Sequence, residues 1–222
     1  MTAGDVSRET PPSPDVAVEV FSAELPLATR YAELLCGIGI ERGVIGPREA
    51  PKVWDRHLLN CAIASDAVEE HATVADVGSG AGLPGLAWSI RRPDLQVVLI
   101  DSLLRRTTVL TECVRELGLE ARVSVTRGRV EEWAGGSFDV VTSRAVAPLD
   151  RLVRWCAPLC RPGGRVVALK GTTAEDEVAS SAKTIARVSD SPPRVKTYGS
   201  DVLEEPTTVV EIGVDRPLGA AH

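Results

Sequence analysis

This sequence contains few cysteines and histidines and no long apolar run. Its 222 residues include 5 cysteines and 3 histidines, and none of them has the spacing of a zinc-finger or haem-binding motif. A membrane-spanning helix needs a run of about 18 apolar residues, and none is present. We therefore expect neither a metal site nor membrane attachment.

The cysteines are odd in number and form no CxxC pair. Cys156 and Cys160 lie four residues apart on a predicted helix, which favours packing in the core over metal binding. Residues 1–15 are polar and lack the apolar stretch of a signal peptide. Scattered thiols without a targeting signal indicate a cytoplasmic protein, and we expect a monomer.

Aromatic residues make up only 4% of the chain, and neither an RNP-type aromatic motif nor a basic tail is present. Any binding of RNA must therefore use the folded surface. The net charge of −6 is unevenly distributed, because residues 1–72 hold 12 acidic and 6 basic side chains whereas residues 91–170 hold 9 acidic and 14 basic ones. The basic central segment can attract a polyanion, although a solvated surface of mixed charge explains the same composition.

Strands rich in Val, Ile and Leu alternate with amphipathic helices from Thr73 onward, which predicts a parallel sheet covered on both faces. The gap between the last two strands is too short for a crossover helix, so these two should form an antiparallel pair at the sheet edge. The predicted strands are 73–79, 95–101, 123–128, 138–145, 164–171, 194–201 and 207–215; the predicted helices are 84–91, 103–117, 148–160 and 174–188.

The fold class is therefore α/β and Rossmann-like, with a seven-stranded, mostly parallel sheet. Before this α/β domain, which we place at 73–216, the pattern is helical and contains no strong strand. Residues 17–72 are predicted to form an N-terminal helical cap that includes a helix from Pro51 to Glu69. Residues 1–16 are predicted to be a disordered tail.

The strongest local signal is the segment DVGSGAGLPG, residues 76–85, which follows a strand and opens a helix. Glycines let the backbone turn sharply and approach a ligand closely. Counted from Gly80, the segment matches the GxGxxG fingerprint of NAD- and FAD-binding proteins. Counted from Asp76, it matches the DxGxGxG loop of class I methyltransferases, which bind S-adenosylmethionine.

Two further features bear on this choice. Asp101 ends the second strand, where its carboxylate could accept both ribose hydroxyls of a bound nucleoside; this position is shared with NAD enzymes and does not discriminate. The antiparallel strand pair near the C-terminus does discriminate, because it is typical of the methyltransferase sheet and is not part of an ordinary NAD-binding half. The methyltransferase interpretation therefore explains more of the chain.

Over residues 30–215 the sequence resembles the RsmG family, also called glucose-inhibited division protein B. These proteins are bacterial enzymes that methylate N7 of a guanine in 16S ribosomal RNA. The resemblance is carried by blocks in the same order along the chain: WDRHLLNCA (54–62), DVGSGAGLPG (76–85), LIDSLLRR (99–106), RGRVEEW (127–133), SRAVAPL (143–149) and ALKG (168–171). One departure is the pair Asn60 and Cys61, where many members have Asp and Ser.

The resemblance implies S-adenosylmethionine as cofactor and 16S rRNA, free or in the small ribosomal subunit, as partner. It implies that Arg144 faces the methionine end of the cofactor or the substrate, and that Val130 and Glu131 flank the adenine. Arg144 and Lys170 end neighbouring predicted strands, so we expect both to act on the substrate as catalytic residues. The residues expected to bind the cofactor are Gly78, Gly80, Leu83, Asp101, Val130, Glu131 and Arg144.

Four functions are consistent with the sequence. The first is an RNA guanine-N7 methyltransferase, and the second is a small-molecule methyltransferase with the same cofactor fold. The third is an NAD-dependent oxidoreductase, which calorimetry with S-adenosylhomocysteine and NAD would distinguish. The fourth is a non-catalytic RNA-binding module, which would require a decayed glycine loop, whereas the loop here is intact. Arg56 and His57 lie in the predicted cap, which could fold over the site.

Overall fold

The computed structural model of the protein describes residues 10–133, 135–144 and 146–216. Its centre is a seven-stranded sheet in the order β3-β2-β1-β4-β5-β7-β6. Strands β1 to β5 are parallel, whereas β7 runs antiparallel to both β5 and β6. The predicted fold class is confirmed. The strands are β1 Thr73–Val77, β2 Gln96–Asp101, β3 Val123–Arg127, β4 Phe138–Arg144, β5 Cys160–Lys170, β6 Arg194–Tyr198 and β7 Thr207–Val214.

Helices cover both faces of the sheet, because side chains alternate between the two faces along each strand. In β1, for example, Val74 packs with the N-terminal helices, α4 and α5, while the adjacent Ala75 packs with α6 and α7. The α-helices are α1 Val16–Phe21, α2 Leu25–Leu34, α3 Asn60–Ile63, α4 Gly85–Arg91, α5 Leu104–Glu116, α6 Leu149–Cys156 and α7 Ala174–Val188.

The N-terminal cap is fastened to the sheet by hydrogen bonds from helix α4. The buried Trp88 donates its Nε1–H to the carbonyl oxygen of Cys61 over 2.7 Å. Arg91, at the end of the same helix, donates to the carbonyl oxygens of Val20 and Ala62, both at 3.1 Å. Because the cap and this face of the sheet also share one cluster of buried apolar side chains, they form a single hydrophobic core.

The cap differs in detail from the single helix predicted from Pro51 to Glu69. The chain instead passes through four short helical segments of different pitch: 3₁₀ at Pro47–Lys52, π at Val53–Leu59, α3, and 3₁₀ at Ala64–Ala67. Pro51 lies inside the first segment, where it has no amide hydrogen to donate. Segments of π-helix are often found at functional sites, and this one contains His57.

Two other expectations can be compared with the structure. Strand β5 begins at Cys160 rather than at residue 164, because Cys160 already pairs with Phe138 before a register shift on β4. Of the expected N-terminal tail, residues 1–9 lie outside the described residues, and Trp54 donates its Nε1–H to the carbonyl oxygen of Pro11 over 2.9 Å. No helix within the described ranges is long and apolar enough to cross a membrane.

All five cysteines are buried and free. Cys156 and Cys160 pack in the apolar cluster beneath α6 and α7, as predicted. Only Cys156 lies on a helix, however, because α6 ends there and Cys160 begins β5. Burial raises the pKa of the Cys61 thiol to about 11 and that of Cys113 to about 12. The thiols are therefore protonated core side chains at neutral pH.

The carboxylate of Asp139 ties the start of β4 to the start of β1, which yields a prediction about stability. It accepts hydrogen bonds from the backbone N–H and the hydroxyl of Thr73 at 2.7 and 2.6 Å, and it pairs with Arg161. Burial raises the pKa of Asp139, but the bonds from Thr73 and Arg161 outweigh this effect and hold its pKa below the ordinary value. Its stabilising contribution is therefore present above about pH 4 and is lost as the pH falls below that range.

We expect Asp139→Asn to lower the free energy of unfolding by about 1–2 kcal/mol at pH 7. The difference from the wild type should shrink toward pH 3, because the wild-type carboxylate is then becoming protonated. Urea unfolding at both pH values measures this, with the exposed Asp55→Asn as the control substitution. A deficit of equal size at both pH values would show that charge is not the cause.

Candidate active site

The carboxyl ends of β1, β2 and β4 meet at one edge of the sheet. Between β1 and β4 the strand order reverses, and open α/β sheets bind their ligands at such a point. Two cavities open there. The glycine-loop cavity, of about 460 Å³, is lined by the loop after β1, and the outer cavity, of about 1320 Å³, extends toward the ends of β5 and β7. His57, Arg144 and Val146 line both cavities.

The glycine loop, residues 78–85, has a shape that few other residues could adopt. Gly78 and Gly80 have positive φ angles of 71° and 59°, where L side chains are strained. A Cβ atom on Gly78 would lie 2.7 Å from Cγ2 of Val146. From the cap, the hydroxyl of the buried Tyr31 donates to the carbonyl oxygen of Ala81 over 2.8 Å. The loop is therefore packed closely between Val146, which follows β4, and Tyr31 of the cap.

Asp76, the next-to-last residue of β1, has a buried carboxylate oxygen without a partner in the described part of the chain. Its Oδ2 accepts the backbone N–H of Gly85 at 3.0 Å, whereas Oδ1 has no hydrogen-bond partner among the residues that the structure describes. Burial raises the pKa of Asp76 to about 7. An unsatisfied acceptor beside the glycine loop fits a ligand that brings hydrogen-bond donors or positive charge, as S-adenosylmethionine does with its amino group and sulfonium.

Asp101, at the end of β2, supports the same loop from the opposite side. Its buried carboxylate accepts the N–H of Gly80 at 3.0 Å and that of Leu103 at 2.9 Å. Arg106, which lines the glycine-loop cavity, pairs with the Asp101 carboxylate at 3.3 Å. A carboxylate offers about four acceptor positions, so two ribose hydroxyls would have to displace or share with Arg106. The ribose contact of Asp101 stays a prediction.

Arg144 ends β4 and stands between the two cavities. Its Nη1–H donates to the carbonyl oxygen of Arg56 at 3.1 Å, and its Nη2 lies 3.0 Å from Nδ1 of His57. Nε2 of His57 lies 2.9 Å from the Glu49 carboxylate. Burial, and then the nearby Arg144, lower the pKa of His57. The sheet and the cap thus meet through Arg144 at the point where both cavities join.

Lys170, at the end of β5, lies in the outer cavity but already has partners. Its ammonium donates to the carbonyl oxygen of Ala147 at 3.0 Å and to the Glu177 carboxylate at 2.8 Å. Glu177 also accepts the N–H of Leu149 at 2.9 Å. These bonds fasten the segment after β4 to helix α7. A direct action of Lys170 on the substrate stays a prediction, as does its grouping with Arg144 as a catalytic pair.

The other predicted site residues divide into two groups. Gly78, Gly80 and Leu83 line the glycine-loop cavity together with Arg144. Val130 and Glu131 form a 3₁₀ turn after β3 in which Val130 is buried and Glu131 exposed, and neither is among the residues that line this cavity. Their contact with the adenine stays a prediction.

Sequence reasoning missed the positions that support the site from a distance in the chain. Glu49 lies in a Pro- and Gly-rich stretch that contains no recognisable motif. Tyr31 was identified only as an apolar position of a predicted helix. Val146 and Arg106 carried a weak signal, because they lie inside the SRAVAPL and LIDSLLRR blocks respectively. Only the packed structure shows that these side chains border the glycine loop or Arg144.

The order of the strands and the glycine loop together define the class. Strand β7 lies antiparallel between β5 and β6, and the DxGxGxG loop crosses the carboxyl end of β1 with an unsatisfied carboxylate beside it. This is the architecture of a class I methyltransferase, an enzyme that uses S-adenosylmethionine. The residues present therefore fit that cofactor. Gly78 and Gly80 line the glycine-loop cavity, and their contacts with the cofactor stay a prediction.

Comparison with known proteins identifies the family. The family model described as "GidB: rRNA small subunit methyltransferase G" matches residues 24–202. A ribosomal RNA small subunit methyltransferase G of Salinispora tropica is 52% identical over 99% of this chain and 94% of its own length. One of Streptomyces coelicolor is 48% identical over 97% of this chain and 91% of its own. The chain belongs to the rRNA small subunit methyltransferase G family.

Solved structures support the fold. A ribosomal protein L11 methylase of Lactobacillus delbrueckii superposes with a TM-score of 0.53 at 16% identity, covering 71% of this chain and 79% of its own. An O-methyltransferase family protein of Burkholderia thailandensis gives a TM-score of 0.52 at 16% identity, covering 88% and 66%. At this level of identity the likeness concerns the fold alone.

The geometry of the glycine loop predicts that Gly78→Val abolishes cofactor binding in a protein that still folds. The valine side chain would collide with Val146 and would keep the loop backbone from approaching the ligand closely. Gly118→Val is the matched control, because Gly118 also has a positive φ, of 65°, but a Cβ there meets no atom within 4 Å. Calorimetry with S-adenosylmethionine should detect binding in the control only, and unchanged affinity in Gly78→Val would show that the loop does not hold the cofactor.

The position of Asp101 predicts that Asp101→Ala weakens cofactor binding at least about tenfold. The substitution removes the acceptor for the Gly80 N–H and the acceptors predicted for the ribose, each a charge-assisted hydrogen bond. Asp94→Ala serves as control, since Asp94 pairs with Arg92 in the turn before β2. Equal dissociation constants for Asp101→Ala and the wild type, measured by calorimetry, would rule out this role.

Proposed function

We propose that the protein transfers the methyl group of S-adenosylmethionine to N7 of a guanine in 16S ribosomal RNA. The observation that carries the proposal is the position of Arg144, a residue of the SRAVAPL block, in the wall shared by the glycine-loop cavity and the outer cavity, which is almost three times larger. The family to which the chain belongs supports the choice of ribosomal RNA as substrate. Free 16S rRNA and the assembled small subunit are both candidate forms of it.

The chemistry at guanine N7 asks little of the protein in acid–base terms. N7 carries a lone pair and no proton, so no side chain has to remove one during methyl transfer. Bound S-adenosylmethionine supplies an activated methyl group. The side chains at the junction suit this task, because His57 is engaged with Arg144 and Glu49 rather than available as a general base. What remains for the chain is alignment of the reactants and exclusion of water.

Arginine is well suited to recognise both the guanine base and the phosphates of an RNA substrate. A guanidinium can donate to guanine O6 or to a phosphate, and Arg144 keeps three of its five N–H donors after bonding Arg56 and His57. Around the same edge of the sheet, Arg105, Arg127 and Arg129 are exposed. In the described part of the chain, none of these three forms an ion pair with a carboxylate. They are available for phosphates despite the acidic total charge.

The proposal predicts methylation at one guanine by a step that needs no base. The protein is incubated with S-adenosylmethionine and 16S rRNA, either free or in small subunits, and the product is reduced mildly and treated with aniline. N7-methylguanine carries a fixed positive charge that labilises its glycosidic bond, so the strand should break at a single guanine. The single-turnover rate should lack the rising basic limb that a general base produces.

Arg144→Ala is expected to reduce methylation strongly under the same conditions, while Arg187→Ala, on the outer end of α7, should not. Methyl incorporation into RNA that resists aniline cleavage would refute N7 as the target atom. Methylation of neither form of the RNA would refute the RNA substrate and leave the small-molecule alternative.

A further inference from the structure

We propose that His57 is a positioning residue that, with Glu49 behind it, holds the guanidinium of Arg144 at the junction of the two cavities. This inference rests on the proposed function, in which Arg144 is the side chain that contacts the substrate. His57 is supplied by the π-helical segment Val53–Leu59 of the cap, whereas Arg144 is supplied by strand β4. The cap would thereby set the orientation of a side chain that belongs to the sheet.

The hydrogen-bond chain allows only one protonation pattern. A guanidinium can donate but not accept, and an ionised carboxylate can accept but not donate. His57 lies between them, with Nδ1 at 3.0 Å from Arg144 Nη2 and Nε2 at 2.9 Å from Glu49 Oε2. Both bonds form only when the ring is neutral with its hydrogen on Nε2. The lone pair of Nδ1 is then committed to Arg144.

The surroundings of His57 favour that neutral form. Its side chain is only 9% exposed, and the charged groups facing it are Glu49, Arg56 and Arg144. Burial and the nearby Arg144 lower its pKa, against the opposing effect of Glu49. The ring is therefore able to accept from Arg144 at neutral pH. A protonated ring would have to turn an N–H toward the guanidinium, and the contact would become repulsive.

A second bond completes the orientation of Arg144. Its Nη1–H donates to the carbonyl oxygen of Arg56, the residue immediately before His57. Two adjacent residues of the cap thus fix two different nitrogens of one planar guanidinium, which leaves it little rotational freedom. Preorganised donors of this kind act without reorganisation during the reaction. In this arrangement His57 affects the reaction only through Arg144.

The test separates the two nitrogens of the ring with two substitutions. The amide of His57→Asn can occupy the place of Nδ1 and accept from Arg144, whereas that of His57→Gln reaches the place of Nε2 and contacts Glu49 only. We expect His57→Gln to lower the single-turnover methylation rate at saturating cofactor and RNA about tenfold, and His57→Asn to keep it within about threefold. His71→Asn is the control, because His71 is exposed and lies in the turn before β1.

A double-mutant cycle then decides whether His57 acts through Arg144. In an Arg144→Ala background, His57→Gln should change the rate less than twofold, although it lowers it about tenfold in the wild type. An equal loss in both backgrounds would assign His57 a structural role in the cap and overturn the proposal. The same conclusion would follow if His57→Asn lost as much activity as His57→Gln while both unfolded at the same temperature.

A spectroscopic measurement keeps this proposal separate from the proposed function. The chain has 3 histidines, so ¹⁵N-labelled histidine gives a simple spectrum in which His57 is assigned from the signal lost in His57→Asn. We expect the Nε2–H tautomer and a change in the Nδ1 shift in Arg144→Ala but not in His71→Asn. If the wild type methylates no RNA, the function is wrong, and this spectrum still tests the contact. A ring protonated on Nδ1, or a shift unaffected by Arg144→Ala, would refute the positioning role.

Discussion

The end of strand β2 holds the glycine loop in shape, and the rest of the site is arranged around that loop. The carbonyl oxygen of Ile100 accepts the N–H groups of Gly78 and Ser79 at 2.8 and 3.2 Å, and the adjacent Asp101 carboxylate accepts that of Gly80. Half of the loop residues are glycines, which have no side chain to pack and lose much conformational entropy when ordered. The neighbouring strand supplies that order, because parallel pairing places its end directly beside the loop.

The sheet by itself would leave the site incomplete. The strands bring Asp76, Asp101 and Arg144 to one edge, but the contacts that orient the glycine loop and Arg144 from above come from the cap. Tyr31 reaches the loop, and the segment around His57 reaches Arg144. The cap can do this because it is fastened to helix α4 through Trp88 and Arg91. Core packing and site geometry therefore depend on the same contacts.

The parts that sequence reasoning predicted well are those with a local physical signature. Apolar runs separated by amphipathic stretches predicted all seven strands, and the short gap around Pro206 predicted the antiparallel pair because no crossover helix fits there. The glycine loop was equally visible, since its positive φ angles demand that residue type.

The support of the site left no such signature. Glu49 meets His57, and Tyr31 meets Ala81, through contacts between elements that only tertiary packing brings together. Periodicity also predicted one continuous helix from Pro51, because the segments Pro47–Lys52, Val53–Leu59, Asn60–Ile63 and Ala64–Ala67 are each too short for their own pitch to show in the apolar pattern. The pairing of Arg106 with Asp101 was likewise invisible, although Asp101 was singled out and Arg106 lies in the same sequence block. What remained unpredicted was therefore which side chains meet, rather than which elements form.

The burial of every cysteine has a consequence for how the molecule can be observed. Cys36 and Cys61 lie in the cap, Cys113 on helix α5, and Cys156 and Cys160 beneath the opposite face of the sheet. A thiol reacts as its thiolate, and only when a reagent reaches it. Each of these buried thiols is therefore unreactive toward a thiol reagent until its own region of the protein opens. Labelling of the five thiols would therefore distinguish two kinds of local opening. Detachment of the cap would expose Cys36 and Cys61, whereas loosening of the α6 and α7 layer would expose Cys156 and Cys160.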